Sequence, residues 1–141
     1  MKNNTSTTTL DAKMRCRTEF HPCGCTIHTD VPKVYGGEGH YAAPGDLLAA
    51  TVASCMLSMM ALTGRKHGMS TDGMTASACC EEANGRIQAL HLEFCVPGTL
   101  TAEQKTLLQQ CTENCPVGNA LSDKVQKHIT WKCCESGHCA A

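Results

Sequence analysis

The chain has 141 residues, a length that fits one domain able to bury a core without metal ions or disulfides. Its 12 lysines and arginines balance 13 aspartates and glutamates, which gives a formal net charge of −1. The basic residues are scattered along the chain, so the composition offers no charged surface for nucleic acid or for an anionic membrane. We therefore expect neither as a partner.

The two ends of the chain are predicted to lie outside the folded domain. Residues 1–9 are polar and predict a disordered tail, residues 10–134 form the domain, and residues 135–141 are a C-terminal tail. The first segment has no apolar stretch behind a basic start, unlike a secretory signal. We therefore expect a cytoplasmic protein whose 12 cysteines are mostly reduced.

The first half of the domain begins with a predicted hairpin. Apolar and polar residues alternate from Leu10 to Phe20, which predicts a strand with one wet face. A turn follows at His21, and the alternation resumes from Cys25 to Val31.

A long helix is predicted next, from Pro44 to about His67. Proline suits the first helical turn, Asp46 favours the positive helix end, and Gly68 is a natural C-terminal stop. The uncharged run 47–62 is shorter than the roughly 20 residues of a membrane span, which favours a core helix. Because this helix is apolar nearly all round, a second subunit is the economical way to cover it.

The second half begins with another predicted hairpin. Its strands run from Met74 to Glu82 and from Arg86 to Val96, across the favoured turn Asn84-Gly85.

Two helices and a strand complete the predicted order. Thr101 and Gln104 resemble a capping box that starts a helix ending near Thr112. A short helix follows from Cys115 to about Val125, and the last strand covers residues 127–134. The result is an α+β chain of order β-β-α-β-β-α-α-β.

Two cysteines stand out as candidates for thiol chemistry. Cys115 precedes Pro116 at a predicted helix N-terminus, where free N–H groups and the helix dipole can lower a thiol pKa. Cys55 lies in the middle of the long helix and receives no such help. Position alone favours a core residue at Cys55, and a reactive Cys55 would need a nearby cation or hydrogen-bond donors.

Metal binding is the rival use of the cysteines. Soft ligands occur near both ends of the chain, at Cys23, Cys25, Cys133, Cys134, His138 and Cys139. Zinc sites usually combine two closely spaced pairs, and no CxxC pair occurs in this sequence. We therefore expect no metal site.

Four segments together resemble the OsmC/Ohr superfamily, the osmotically inducible protein C and organic hydroperoxide resistance proteins. The segments are Asp30-Val31-Pro32-Lys33, Gly36-Gly37-Glu38-Gly39, the run PGDLLAATVASC from Pro44 to Cys55, and CPVGNAL from Cys115 to Leu121. The resemblance covers about residues 25–131, and the order of elements agrees. The two cysteine motifs together make it specific.

The resemblance implies an OsmC-like fold in an intertwined homodimer, with sheets wrapped around a long central helix. It also implies a thiol peroxidase in which Cys55 attacks a hydroperoxide, expected to be an organic one, and Cys115 resolves the product as a disulfide. The expected reductant is an external dithiol, small or protein-bound, and no cofactor or metal is expected.

Two departures from the family pattern leave the activity open. Gly45 stands where the best-studied members carry a glutamate after the proline, and Asp46, which follows it, is a candidate catalytic residue. The family also uses an arginine beside the peroxidatic cysteine, and Arg15 or Arg17 is the candidate here. The alternatives are an OsmC-like redox-sensing or thiol-rich binding protein without efficient turnover, and a metal-binding protein that uses the extra cysteines and histidines.

Overall fold

The structure, a computed structural model, describes residues 4–134. The chain divides into two compact units between Leu47 and Leu48. Residues 1–3 and the predicted C-terminal tail lie outside the described residues.

The first unit is built on an antiparallel three-stranded sheet. Its strands, in spatial order, are β1 (Ser6–Leu10), β2 (Arg15–Phe20) and β3 (Cys25–Asp30). The hairpin β2–β3 was predicted and is confirmed, with Phe20 opposite Cys25.

The prediction of a disordered tail up to residue 9 was wrong, because Ser6–Leu10 pairs with β2. The single strand predicted from Leu10 onward is interrupted by a turn at Asp11. The Asp11 carboxylate accepts backbone N–H bonds from Lys13 at 2.8 Å and from Arg15 at 3.0 Å. An aspartate that satisfies the backbone in this way favours a turn over a strand, which the alternating pattern concealed.

The long helix α1 extends from Pro44 to His67 with the predicted ends. Gly68 follows it with a φ of 63°, the left-handed conformation in which glycine ends helices. The helix is longer than the uncharged run within it and has a mean hydropathy of 1.7 over its most apolar window, so its length and composition alone would suffice to cross a membrane. A core helix passes the same test, and only 33% of that window is buried within the chain.

The second unit contains a mixed three-stranded sheet. Its strands, in spatial order, are β4 (Thr75–Ala83), β5 (Arg86–Pro97) and β6 (Gln126–Cys134). The predicted turn between β4 and β5 is confirmed, because Asn84 and Gly85 have φ values of 54° and 69°. Strand β6 runs parallel to β5, which requires the crossover that the next two helices provide.

The crossover consists of α2 (Ala102–Glu113) and α3 (Pro116–Asn119). The Thr101–Gln104 capping box is confirmed in both of its hydrogen bonds. Helix α3 is much shorter than predicted, because it ends at Asn119 instead of near Val125. Asparagine and the following Ser122 and Asp123 are poor helix formers, so little in this stretch sustains a longer helix.

The core of the second unit gathers residues from all of these elements. Val52, Met56 and Met60 of α1 are fully buried, as is Leu90 of β5, and Cys115 joins the same cluster. The protein thus has an α+β fold, with the middle of α1 and the start of α3 meeting in one apolar cluster.

Candidate active site

Cys55 and Cys115 meet in the second unit although they are distant in sequence. Cys55 lies on α1, partly buried and packed against the core, whereas Cys115 belongs to the core and is fully buried. Cys55 is close enough to contribute to the raised pKa of Cys115. The two thiols predicted to act as a pair are therefore neighbours in the core of the second unit.

Cys115 is the N-cap of α3, as predicted. Its backbone is extended, with φ −67° and ψ 116°, and Pro116 occupies the first helical turn. The Cys115 Sγ atom accepts a hydrogen bond of 3.3 Å from the backbone N–H of Gly118. One helix-terminal N–H that would otherwise lack a partner is thus directed at the sulfur atom.

Gly118 fits closely between the sulfur and α1. A Cβ atom at this position would lie 3.4 Å from Met56 Cε and 3.6 Å from Cys115 Sγ. The carbonyl of Gly118 accepts a hydrogen bond of 2.9 Å from Lys127 Nζ, which ties the turn to β6. The family-like motif suggested the turn, but no signal in the sequence pointed to Lys127.

The pKa of Cys115 is raised, against the prediction that the helix N-terminus would lower it. Burial is the largest cause, because it disfavours the charged thiolate. The N–H of Gly118 opposes this effect, but the hydrogen bond and the charge interaction with Cys55 raise the pKa further. The short helix α3 therefore lowers the pKa of Cys115 by less than the loss of hydration at this fully buried position raises it.

A protonated Cys115 has a definite hydrogen-bond partner in Cys55. A thiol that keeps its proton can donate it to the neighbouring sulfur. The resemblance assigns the attacking role to Cys55 and the resolving role to Cys115.

The arginine candidates lie in the first unit, together with Asp46. Arg15 is bound by two carboxylates, with its Nε atom 3.5 Å from Asp30 Oδ2 and its Nη2 atom hydrogen-bonded to Glu38. The Arg15 guanidinium also lies over the ring of Tyr41, 5.9 Å from its centroid. Arg15 is therefore held in one orientation by several partners.

The buried carboxylate beside Arg15 is stabilised in its charged form. Asp30 is 2% exposed and accepts a backbone hydrogen bond of 2.8 Å from His40. This backbone bond is the main reason that the pKa of Asp30 is lowered, and the adjacent Arg15 adds to it while burial opposes it.

The other two candidate site residues, Arg17 and Asp46, are less constrained. Arg17 pairs with Glu19 at 3.1 Å, and its side chain is 50% exposed. Asp46 lies exposed in the first turn of α1. The role of any of these residues beside Cys55 stays a prediction.

The remaining cysteines are spread over both units. Besides the candidate pair, the free thiols include Cys16, Cys23, Cys25, Cys79 and Cys111. Cys95 is disulfide-bonded. Among the described residues, no group of three or more histidine, cysteine, aspartate or glutamate side chains is arranged to hold a metal ion. The C-terminal candidates His138 and Cys139 lie outside that part of the chain.

Comparison with known proteins identifies the family. The family model described as OsmC-like protein matches residues 37–130, which is more than half of the chain. The chain belongs to the OsmC-like family. Among curated proteins, none matches it significantly.

Solved structures of other proteins show the same fold. An osmotic-stress-induced and detoxification-response protein from Psychrobacter arcticus superposes with a TM-score of 0.90 at 23% identity, covering 94% of this chain and 98% of that one. An organic hydroperoxide resistance protein OsmC from Legionella pneumophila gives 0.70 at 20% identity, covering 94% and 99%. An organic hydroperoxide resistance protein from Elizabethkingia anophelis gives 0.73 at 22% identity, also covering 94% and 99%. The OsmC-like protein thus shares its whole described fold with these structures.

Proposed function

We propose that this OsmC-like protein is a thiol peroxidase that reduces hydroperoxides, with Cys55 as the peroxidatic and Cys115 as the resolving residue. The proximity of the two thiols in the core of the second unit is the observation that carries the proposal. Membership of the family supports it, as do the fold relatives that are named organic hydroperoxide resistance proteins.

The reaction follows from the arrangement of the two sulfur atoms. The Cys55 thiolate attacks the distal oxygen of a hydroperoxide, the O–O bond breaks, and the alkoxide leaves with a proton as an alcohol. Cys55 then carries a sulfenic acid, which condenses with a neighbouring thiol. Attack by Cys115 on the Cys55 sulfur forms a disulfide and releases water. An external dithiol returns both cysteines to the thiol state by exchange.

The surroundings of the pair favour an organic hydroperoxide. Cys115 lies in the hydrophobic core and Cys55 packs against it, so a substrate that reaches the sulfur contacts apolar side chains. An alkyl group gains free energy by leaving water in such a place, whereas hydrogen peroxide gains little.

Arg15 is the more constrained of the two arginine candidates. Its two carboxylate partners and the ring of Tyr41 fix its orientation, whereas Arg17 is half exposed with a surface partner. Better-studied family members carry a glutamate at the position of Gly45. In this protein a different carboxylate, that of Glu38, pairs with Arg15. We expect Arg15→Lys to slow peroxide reduction more than Arg17→Lys does.

The uncovered surface of α1 supports the proposal of a homodimer. An open groove of about 540 Å³ runs beside the helix and is lined by small and apolar residues that include Ala53, Leu57 and Met74. Leu62 is 53% exposed on the same helix. Apolar surface of this kind is favourably buried by a second copy of the chain. Sedimentation in reducing buffer should give twice the chain mass, and a stable monomer would contradict the proposal.

The activity is tested with a coupled assay on purified protein. Several alkyl hydroperoxides and hydrogen peroxide are each combined with small dithiols and protein dithiols, and peroxide consumption is followed. Cys55→Ser should abolish consumption, whereas Cys115→Ser should still form a sulfenic acid at Cys55 that advances to sulfinic acid. Cys111→Ser is the matched control. Cys111 is a buried cysteine of the same unit, but its thiol hydrogen-bonds to the hydroxyl of Thr63.

Two results would remove the proposal. If Cys55→Ser consumes hydroperoxide as fast as the parent, Cys55 is not the peroxidatic residue. If neither parent nor variants react faster than free cysteine, the protein is a sensor or binding protein. The raised pKa of Cys115 is the observation that favours this second function, because a slow resolving thiol leaves the oxidised Cys55 in place for longer.

A further inference from the structure

A second pair of thiols lies at the tip of the β2–β3 hairpin in the first unit. Cys23 and Cys25 are both exposed and flank Gly24. The turn is closed by a hydrogen bond of 2.8 Å from the Gly24 N–H to the Phe20 carbonyl, and Gly24 has a φ of 67°. This left-handed glycine completes the turn between Phe20 and Cys25, which are paired across the two strands.

The two thiols interact with each other and are not equivalent. Cys25 Sγ is directed at the Cys23 carbonyl at 3.9 Å, and Cys23 Sγ at the Phe20 carbonyl at 3.8 Å. The backbone N–H of Cys25 and then its thiol lower the pKa of Cys23, whereas the hydrogen bond with Cys23 raises the pKa of Cys25. One thiol is therefore prepared to lose its proton while its neighbour keeps one.

We propose that Cys23 and Cys25 form a thiol–disulfide exchange site for solvent-accessible disulfides, with Cys23 as the attacking and Cys25 as the resolving thiol. The proposal rests on the exposure of both thiols, on their spacing of two residues and on the turn that holds them. These are the properties of a redox-active cysteine with a resolving partner beside it. It does not depend on Cys55 or Cys115.

The exchange proceeds in two balanced steps. The Cys23 thiolate attacks one sulfur of a disulfide RSSR′, forms a mixed disulfide with RS, and releases R′S⁻, which takes up a proton. Cys25 then gives up its proton and attacks the Cys23 sulfur, forming the Cys23–Cys25 disulfide and releasing RSH. The external disulfide is reduced by two electrons and the cysteine pair is oxidised by two.

The spacing of the two cysteines permits this ring closure. Residues two apart in a turn have Cα atoms within the range that disulfides span. The cyclic disulfide is small and exposed, which is typical of disulfides that are readily reduced again. A monothiol or dithiol reductant can therefore return the pair to its starting state.

The substrate class follows from the position of the pair. A hairpin tip has no cavity walls, so selection is by access rather than by fit. Small disulfides such as glutathione disulfide and disulfides on the surfaces of other proteins can reach it.

Glutathione disulfide is the probe for the test, with the reduced full-length protein. Trypsin cleavage after Arg17 and after Lys33 places both cysteines on one peptide, so a disulfide between them appears as the loss of two hydrogens from that peptide. The parent should form this disulfide without a stable glutathione adduct. Cys25→Ser should instead accumulate a glutathione adduct at Cys23.

Cys79 serves as the matched control within the same molecule, because it is an exposed thiol on strand β4. Cys23 should react at least about fivefold faster than Cys79, a difference that reflects its larger thiolate fraction. Cys25 in the Cys23→Ser variant should form its adduct more slowly than Cys23 does in the Cys25→Ser variant, and Cys79→Ser should leave the hairpin reaction unchanged.

Two outcomes would overturn the inference. One is equal rates at Cys23 and Cys79, which would make the pair ordinary surface thiols. The other is a parent that carries separate glutathione adducts on Cys23 and Cys25, since the second thiol would then not resolve the first. Neither outcome affects the peroxidase proposal, which is tested on other residues.

Discussion

Replacement of Cys115 separates the structural from the chemical role of this residue. Cys115→Ala removes a fully buried sulfur atom and leaves the N–H of the buried Gly118 without its acceptor. The lost sulfur contact costs about 1 kcal/mol by analogy with a buried methylene, and the unsatisfied N–H about 1 to 2 kcal/mol. Cys115→Ser keeps an acceptor at the N-cap, so only about 1 kcal/mol is lost. We therefore expect the alanine variant to be less stable than the serine variant by about 1 to 2 kcal/mol.

Urea unfolding in reducing buffer at one fixed protein concentration measures these differences, because a dimer would make stability depend on concentration. Cys111→Ala is the control. Cys111 is also buried, but its single S–H donates to the Leu107 carbonyl or to the Thr63 hydroxyl and caps no helix, so only the contact loss of about 1 kcal/mol is expected there. If the alanine and serine variants of Cys115 unfold at the same urea concentration, the N–H···S bond contributes nothing and the reasoning is refuted.

Three further predictions follow from the same structure. The raised pKa of Cys115 predicts that the Cys55–Cys115 disulfide closes faster as the pH rises, because more of the Cys115 thiol becomes thiolate. After one equivalent of hydroperoxide, we expect the closure rate to increase up to about tenfold per pH unit between neutral and mildly alkaline pH. Quenched-flow mass spectrometry measures this rate, and a rate that does not change with pH would contradict the prediction. Thr101→Ala removes a capping box and should lower the free energy of unfolding by about 1 kcal/mol, whereas Thr101→Ser should restore most of it in the same urea assay. Because the pKa of Asp30 is lowered, its contribution to stability is complete above the ordinary carboxyl pKa of about 4 and is lost as the pH falls through the lower folded-state value. Asp30→Asn should therefore lose less stability on acidification than the parent. Equal slopes of unfolding free energy against pH in the two proteins would count against the role of the carboxylate.

The sequence alone determined the elements whose causes are local. Both ends of α1 follow from Pro44 and Gly68, and the β4–β5 turn follows from Asn84-Gly85. These features were readable because each depends on the conformational preferences of a few adjacent residues. Local reading also failed where two local signals competed, since the carboxylate of Asp11 broke a strand pattern that alternation alone predicted to continue.

The candidate site was only partly readable from the sequence. Position alone left Cys55 as a possible core residue, and its pairing with Cys115 came from the family resemblance. The contact between them depends on the folding of α1 and α3 into one core, and the parallel pairing of β5 with β6 is equally non-local.

The electrostatics of the site were decided by the tertiary structure. The helix N-terminus at Cys115 was visible in the sequence, and it led to the wrong direction for the pKa of this thiol. The structure buries that terminus completely and places a second thiol against it. A sequence motif can indicate that a residue lies at a helix N-terminus, but its burial depends on the packing of segments that are distant in sequence. For the pKa of Cys115, burial has the larger effect.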